Sequence, residues 1–177
     1  WVARLTLCPV ALDLNPAFPT RNDRHCWSVM IDNRQMNSIQ QLAFEVNKQG
    51  KIYRQTFTRN PAPDTGKSEY IPPFFRSPFY RDVTSCYTRV KDVTVTPLKP
   101  VSVTYGYLSV FNNLKWEPVA YAGPREGRFL FKDVGCGIVY LPLIYPDGDA
   151  VAVSYPFLLD LTGKVQLLNP TPLTCSR

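Results

Sequence analysis

Arg24-His25-Cys26-Trp27-Ser28-Val29-Met30-Ile31-Asp32 holds the only histidine of the chain. The stretch alternates and is rich in strand formers, as is Ser38-Ile39-Gln40-Gln41-Leu42-Ala43-Phe44-Glu45-Val46. A short polar connection, Asn33-Arg34-Gln35-Met36-Asn37, separates them, which predicts an antiparallel hairpin. A turn centred on Gln35 sets His25 directly across from Glu45 on one face, with Cβ atoms about 5 Å apart. A carboxylate in that place fixes the imidazole tautomer and supports its charged form. A structural histidine satisfied by a neighbouring acid gives the same pattern. Asp32 is the rival acid, but it lies an odd number of positions from His25 and so faces the other side of the strand.

The 177 residues suffice for one ordinary domain or two small ones. Hydrophobic residues make up 45%, enough for a buried core. The 17 prolines against 9 glycines, with short β-rich runs between them, point to sheets joined by stiff loops. The net charge of +6 is scattered rather than gathered into a basic block, and the aromatics do not interleave with it. Nucleic-acid binding is therefore not expected. No apolar run is long enough to span a membrane, and no signal peptide is visible. The opening at Trp1, inside an apolar-rich segment, reads as a processed or truncated start.

Cys8, Cys26, Cys86, Cys136 and Cys175 form no C-x-x-C pair, and one histidine makes a zinc cluster improbable. No metal or cofactor is expected. The odd count leaves at least one thiol free under oxidising conditions, and free cysteine also serves as a small core residue.

Along the chain, Pro9 to Leu14 reads as extended and Asn15 to Asp23 as a proline-stiffened loop. Asn47 to Gly50 reads as a turn, and Lys51 to Thr58 as a partly exposed strand. Ile71-Pro72-Pro73-Phe74-Phe75-Arg76-Ser77-Pro78-Phe79-Tyr80 is a proline-aromatic bridge, expected to pack as a hinge between residues 1–80 and 81–177. Beyond it, strands are expected at 83–95, 102–111, 117–122, 128–132, 137–143, 150–159 and 164–168. Turn signals at Leu98 to Pro100, Asn112-Asn113, Gly123-Pro124, Asp133 to Gly135, Pro146 to Gly148 and Thr162-Gly163 separate them. Seven short strands at this spacing predict a β-sandwich. Lys115, Lys132 and Lys164, near strand ends, read as edge guards, and Trp116 with Pro118 as a core anchor.

Several stretches together carry a resemblance. They are Asp82-Val83-Thr84 with Tyr87, Val110-Phe111-Asn112-Asn113 with Trp116 and Pro118-Val119, and Phe131 with Asp133-Val134-Gly135. Ile138-Val139-Tyr140-Leu141-Pro142, Pro156-Phe157-Leu158-Leu159 and Gly163 complete the set. The region 82–170 resembles a β-sandwich module that ends transglutaminase-like surface proteins of Bacteroidetes type. Pro9-Val10, Pro16-Ala17-Phe18, His25-Cys26-Trp27, Ile52 to Phe57 and Ile71 to Phe74 are similar to the closing part of the transglutaminase-like core in those proteins.

The resemblance implies a mainly β chain: antiparallel strands closing a transglutaminase-like core over 1–80, then an Ig-like β-sandwich over 81–177. It implies His25 as catalytic histidine, Glu45 as the acid that orients it, and Trp27 as a wall of the substrate site. The family's cysteine opens a helix well before the histidine, where the helix dipole favours a thiolate. Cys8 precedes Pro9, at a position where the family has an apolar residue. Cys26 adjoins His25 and faces the other way. Cys86, Cys136 and Cys175 belong to the second module. The nucleophile is thus expected upstream of Trp1, on a segment or chain that completes the site. Two functions follow as expectations. One is the C-terminal portion of a cysteine hydrolase or acyltransferase, inactive alone. The other is a non-catalytic binding protein for glycan or a protein partner. The resemblance implies an extracytoplasmic place, secreted or at the cell surface, with a protein, peptide or glycan as substrate.

Overall fold

A computed structural model of this chain describes residues 10–14, 25–31, 34–38, 50–60, 70, 77–112 and 114–169, the first three segments as backbone only. What it describes is mainly β and antiparallel. The first sheet holds β1 (Val10–Leu14), β2 (His25–Ile31), β3 (Arg34–Ser38), β4 (Tyr53–Gln55) and β5 (Tyr80–Asp82), in the order β3-β2-β1-β4-β5. β1 begins at Val10, the residue after Pro9 in the sequence.

The β2–β3 hairpin forms in a different register from the one the sequence suggests. Ile31 pairs with Arg34, Met30 with Gln35, Val29 with Met36 and Ser28 with Ser38, with a bulge between Ser28 and Val29. Gln35 therefore lies inside a strand and is not the centre of a turn. Only Asp32 and Asn33 separate the innermost pair, and Asx residues favour such two-residue connections. Across these described pairs the register is not the one that would set Glu45 opposite His25; Glu45 itself lies outside the described residues.

The second half contributes β6 (Val90–Val95), β7 (Gly106–Asn112), β8 (Lys115–Ala122), β9 (Pro124–Arg125) and β10 (Arg128–Gly135). β11 (Ile138–Ile144), β12 (Val151–Ala152), β13 (Phe157–Leu159) and β14 (Val165–Leu167) follow. A three-stranded sheet, β6-β10-β9, faces a six-stranded sheet ordered β14-β13-β11-β7-β8, in which β12 also pairs with β11. The core lies between them. Val93, Val95, Phe129, Phe131 and Val134 come from one side; Leu108, Val110, Tyr140, Phe157 and Leu159 come from the other. Each buried Phe or Leu contributes about 1.5–3 kcal/mol of transfer free energy. Gly106 lets β7 approach β10, since a Cβ there would meet the Phe129 ring at 2.7 Å. Tyr140, fully buried, donates its hydroxyl to Gly135 O at 2.7 Å and so keeps its polar end satisfied.

Several expected boundaries shift for local reasons. The 83–95 strand is broken, because Asp82 Oδ1 accepts from both Thr84 N–H (2.9 Å) and Thr84 Oγ1–H (2.6 Å). These local side-chain bonds compete with strand pairing, and Thr84–Cys86 forms a short 3-10 turn before β6 starts. Asp133 to Gly135, read as a turn, stays in β10. The extra residue is absorbed in a bulge between Phe131 and Val134, with Asp133 at φ 49° and its N–H held by Asp92 Oδ1 at 3.0 Å. The 150–159 segment divides into β12 and β13. Pro142, within β11, survives because its side without an N–H faces that gap, where its carbonyl accepts from Val153. Pro118 sits beside a bulge on the edge strand β8, which fits its missing donor.

Of the bridge, Phe74 and Phe75 lie outside the described residues. Phe79 is 45% exposed, so it does not supply the packing expected of a hinge. The segment 50–52 ties to the second half instead. Gly135 N–H donates to Gly50 O, Val83 N–H donates to Ile52 O, and Ile52 is fully buried against Val83.

Candidate functional site: a tyrosine-lined cleft

The residues singled out from sequence fall on β2. His25 is its first residue and pairs with Leu14; Trp27 pairs with Leu12. Glu45 and Asp32 lie outside the described residues. Of the thiols, Cys86 is exposed in the 3-10 turn and Cys136 is fully buried in the core. Burial pushes the Cys136 thiol above its ordinary range, with Arg89 pulling weakly the other way. A core thiol in that state is a packing group and a poor nucleophile. No group of three or more metal-ligating side chains occurs among the described residues, nor does any helix long and apolar enough to cross a membrane.

What the described residues do assemble is a cleft of about 480 Å³ at the β8 edge of the six-stranded sheet. Tyr105 and Tyr121 stand at its wall, in an edge-to-face pair with ring centroids 5.6 Å apart. Tyr121 belongs to β8, Tyr105 to the coil that enters β7, and Tyr53 comes in from β4. The strand register explains the grouping. Leu143, Tyr107 and Tyr121 pair in one row across β11, β7 and β8. Because Gly106, Leu108 and Val110 face the core, this row must face outward. β7 is thus buried on both faces, by the core on one side and by an aromatic layer on the other.

That layer continues away from the cleft. Tyr70 stacks on Tyr145 at 3.7 Å, and both meet Tyr107 edge-on at 5.4 and 5.2 Å. Trp116, expected as a core anchor, belongs to this outer layer and packs against Phe111 at 5.4 Å. The bulge in β8 accounts for the change: it puts Val119 and Ala120 consecutively into the core and leaves Trp116 on the outer side.

The polar floor of the cleft is a fixed network. Lys51, buried, pairs with Asp82 and donates to Lys132 O at 2.6 Å. Asp82 is held in turn by Thr84, whose hydroxyl oxygen accepts Ile52 N–H at 3.0 Å. The Tyr53 phenol is driven far above its usual range, first by burial and then by Asp82 and Tyr121. It therefore remains a neutral hydroxyl at any working pH. At the outer wall stand Arg125 and Lys132, both exposed. A desolvated hydroxyl, exposed cations and aromatic rings can hold a ring-bearing polar ligand; they contain no activated nucleophile.

The sequence carries a signal for this site. Tyr105-Gly106-Tyr107 is an alternating pair on one face, and Glu126-Gly127 between Arg125 and Arg128 is a two-residue hairpin signal. No family model, no curated protein and no solved structure matches this chain.

Proposed function

We propose that this chain is a non-catalytic binding module of the cell exterior, and that its cleft takes the sugar rings of a glycan. The observation that carries the reading is the pairing of half-buried Tyr105 and Tyr121 over a polar floor of Tyr53 and of Lys51, which Asp82 anchors from behind. Aromatic walls cover the apolar face of a ring, while fixed donors satisfy its hydroxyls. Calorimetric titration against a panel of soluble oligosaccharides tests it. Binding to a member of that panel should weaken about tenfold in Tyr105→Ala, the equivalent of ~1.4 kcal/mol, with the circular dichroism spectrum unchanged. Equal affinity in Tyr105→Ala and the parent would remove the cleft from the reading.

A second reading keeps the transglutaminase-like ancestry, with His25 and Glu45 as part of a site completed by an upstream cysteine. It is supported by β1 following Pro9 and β2 opening at His25, as the resemblance implies. Amide hydrolysis or crosslinking by this chain, abolished in His25→Ala, would favour it over the binding module.

A further inference from the structure

One wall of the cleft is charged. β9 and β10 are joined by Glu126 and Gly127, with φ of 51° and 72°. Positive values at both positions make this the tight hairpin turn that matches strand twist. It sets Arg125 directly opposite Arg128. Like charges in directly opposed positions destabilise a strand pair. Along β10, Phe129 and Phe131 enter the core. Arg128, Leu130 and Lys132 therefore share the other face, and Leu130 and Lys132 line the cleft together with Arg125.

Three cations thus run along one wall, with Arg128 and Lys132 separated by roughly 13 Å of strand. Among the described residues no carboxylate forms an ion pair with any of them. The fourth cation, Lys51, is different: it is buried and already neutralised by Asp82. The charge left uncompensated is therefore on the side that a ligand would meet.

We propose that the cleft recognises an acidic glycan, with a sugar ring against Tyr105 and Tyr121 and its carboxylate or sulfate groups along Arg125, Arg128 and Lys132. The proposal rests on the reading of the cleft as a glycan site and adds the charge of the ligand. These three cations form one short row beside aromatic walls. That suits a chain carrying a discrete anionic group on each ring better than a continuous phosphate backbone, whose binding needs a longer basic track. Guanidinium forks match carboxylate and sulfate oxygens in pairs, which accounts for arginine at the two opposed positions.

The test is titration of the whole chain with an oligogalacturonate hexamer, its carboxyl-reduced counterpart, a heparin-derived hexasaccharide and a single-stranded DNA 12-mer, at one fixed ionic strength. At least one acidic sugar should bind, and for the galacturonate pair reduction of the carboxylates should weaken binding tenfold or more. Arg125→Gln combined with Lys132→Gln should lower affinity for the acidic sugar by a similar factor. Both side chains are exposed, so the fold should be untouched. Arg128→Glu makes a second, independent arm. It turns the like-charged pair into an opposite one, so it should raise the melting temperature while lowering acidic-glycan affinity. Equal binding of hexamer and reduced hexamer, both lost in Tyr105→Ala, would leave the glycan module standing and overturn the acidic assignment. Binding of neither acidic sugar overturns the proposal, as does DNA binding as tight as theirs and indifferent to Tyr105→Ala.

Discussion

Replacing Gly106 by alanine tests the packing of the two sheets at its tightest point. A Cβ on Gly106 would lie 2.7, 2.7 and 2.8 Å from three carbons of the Phe129 ring. Ordinary carbon contacts are about 3.5–4.0 Å, so the ring must retreat by roughly 1 Å. It has little room to do so. Phe129 is 1% exposed, lies 6.5 Å from the Phe131 ring, and its backbone is paired to Val95 and Pro124 on its two sides. Overpacking of this kind costs about 1–3 kcal/mol. Gly106 does not have positive φ, so alanine adds no backbone strain and instead returns about 0.4–1 kcal/mol by restricting the unfolded chain. The net expectation is a loss of about 1–2 kcal/mol in urea unfolding, with an unchanged m-value. Phe129→Leu in the same chain should recover part of that loss, because neighbours sharing one space are not additive. Unchanged or increased stability of Gly106→Ala would mean that residue 106 does not face Phe129. The assignment of β7 faces would then be wrong, and with it the outward row of tyrosines on which the cleft depends.

Two further outcomes follow from single groups. Native alkylation with iodoacetamide followed by peptide mapping should label Cys86 and spare Cys136, because one thiol is exposed and the other buried with its ionisation suppressed; equal labelling would place Cys136 at the surface. Asp160 accepts from Thr162 Oγ1–H, Lys164 N–H, Gln166 Nε2–H and Thr162 N–H, which hold its carboxyl down from the usual 3.8 to about 2. A depressed folded pKa stabilises above the unfolded value and is lost as pH falls through the folded one. Stability should therefore decline between pH of about 4 and about 2, and Asp160→Asn should flatten that part of the profile; an identical acid profile in the variant would remove Asp160 from the loop's support.

The strand inventory was legible because alternation and turn residues report local geometry directly. Most of the strands expected after residue 100 appear within a few positions. What stayed hidden was register and side-chain capture. The β2–β3 pairing depends on which short connection closes the hairpin, and Asn33 to Asn37 reads as a mostly polar connection without saying where the chain reverses. A small slip there changes every cross-strand partner, and Glu45 lies beyond the described part of that pairing. The break after Asp82 depends on one carboxylate taking the Thr84 N–H and hydroxyl, a choice that alternation does not record. The cleft was harder still. Its tyrosines come from β4, β8 and the coil before β7, and only the long-range pairing of strands brings them together. Trp116 shows the same limit, since a single bulge in β8 decides which layer it joins.

Lys51 links these parts. Beyond Phe129, β10 pairs no further with β9, and among the described residues no other strand takes that outer backbone edge. An open edge in a sheet recruits other chains unless something covers it. Residues 50 and 51 do so: Gly50 O takes the Gly135 N–H, and the Lys51 ammonium takes Lys132 O. A buried ammonium used in this way must itself be neutralised, and Asp82 supplies the charge from β5 of the first sheet. The same pair then becomes the floor of the cleft, because the covering segment enters where Tyr53, Tyr121 and Lys132 converge. Edge protection and site formation are therefore one arrangement. Among the described residues Arg125, Arg128 and Lys132 join no ion pair, so their charge stays available to a ligand.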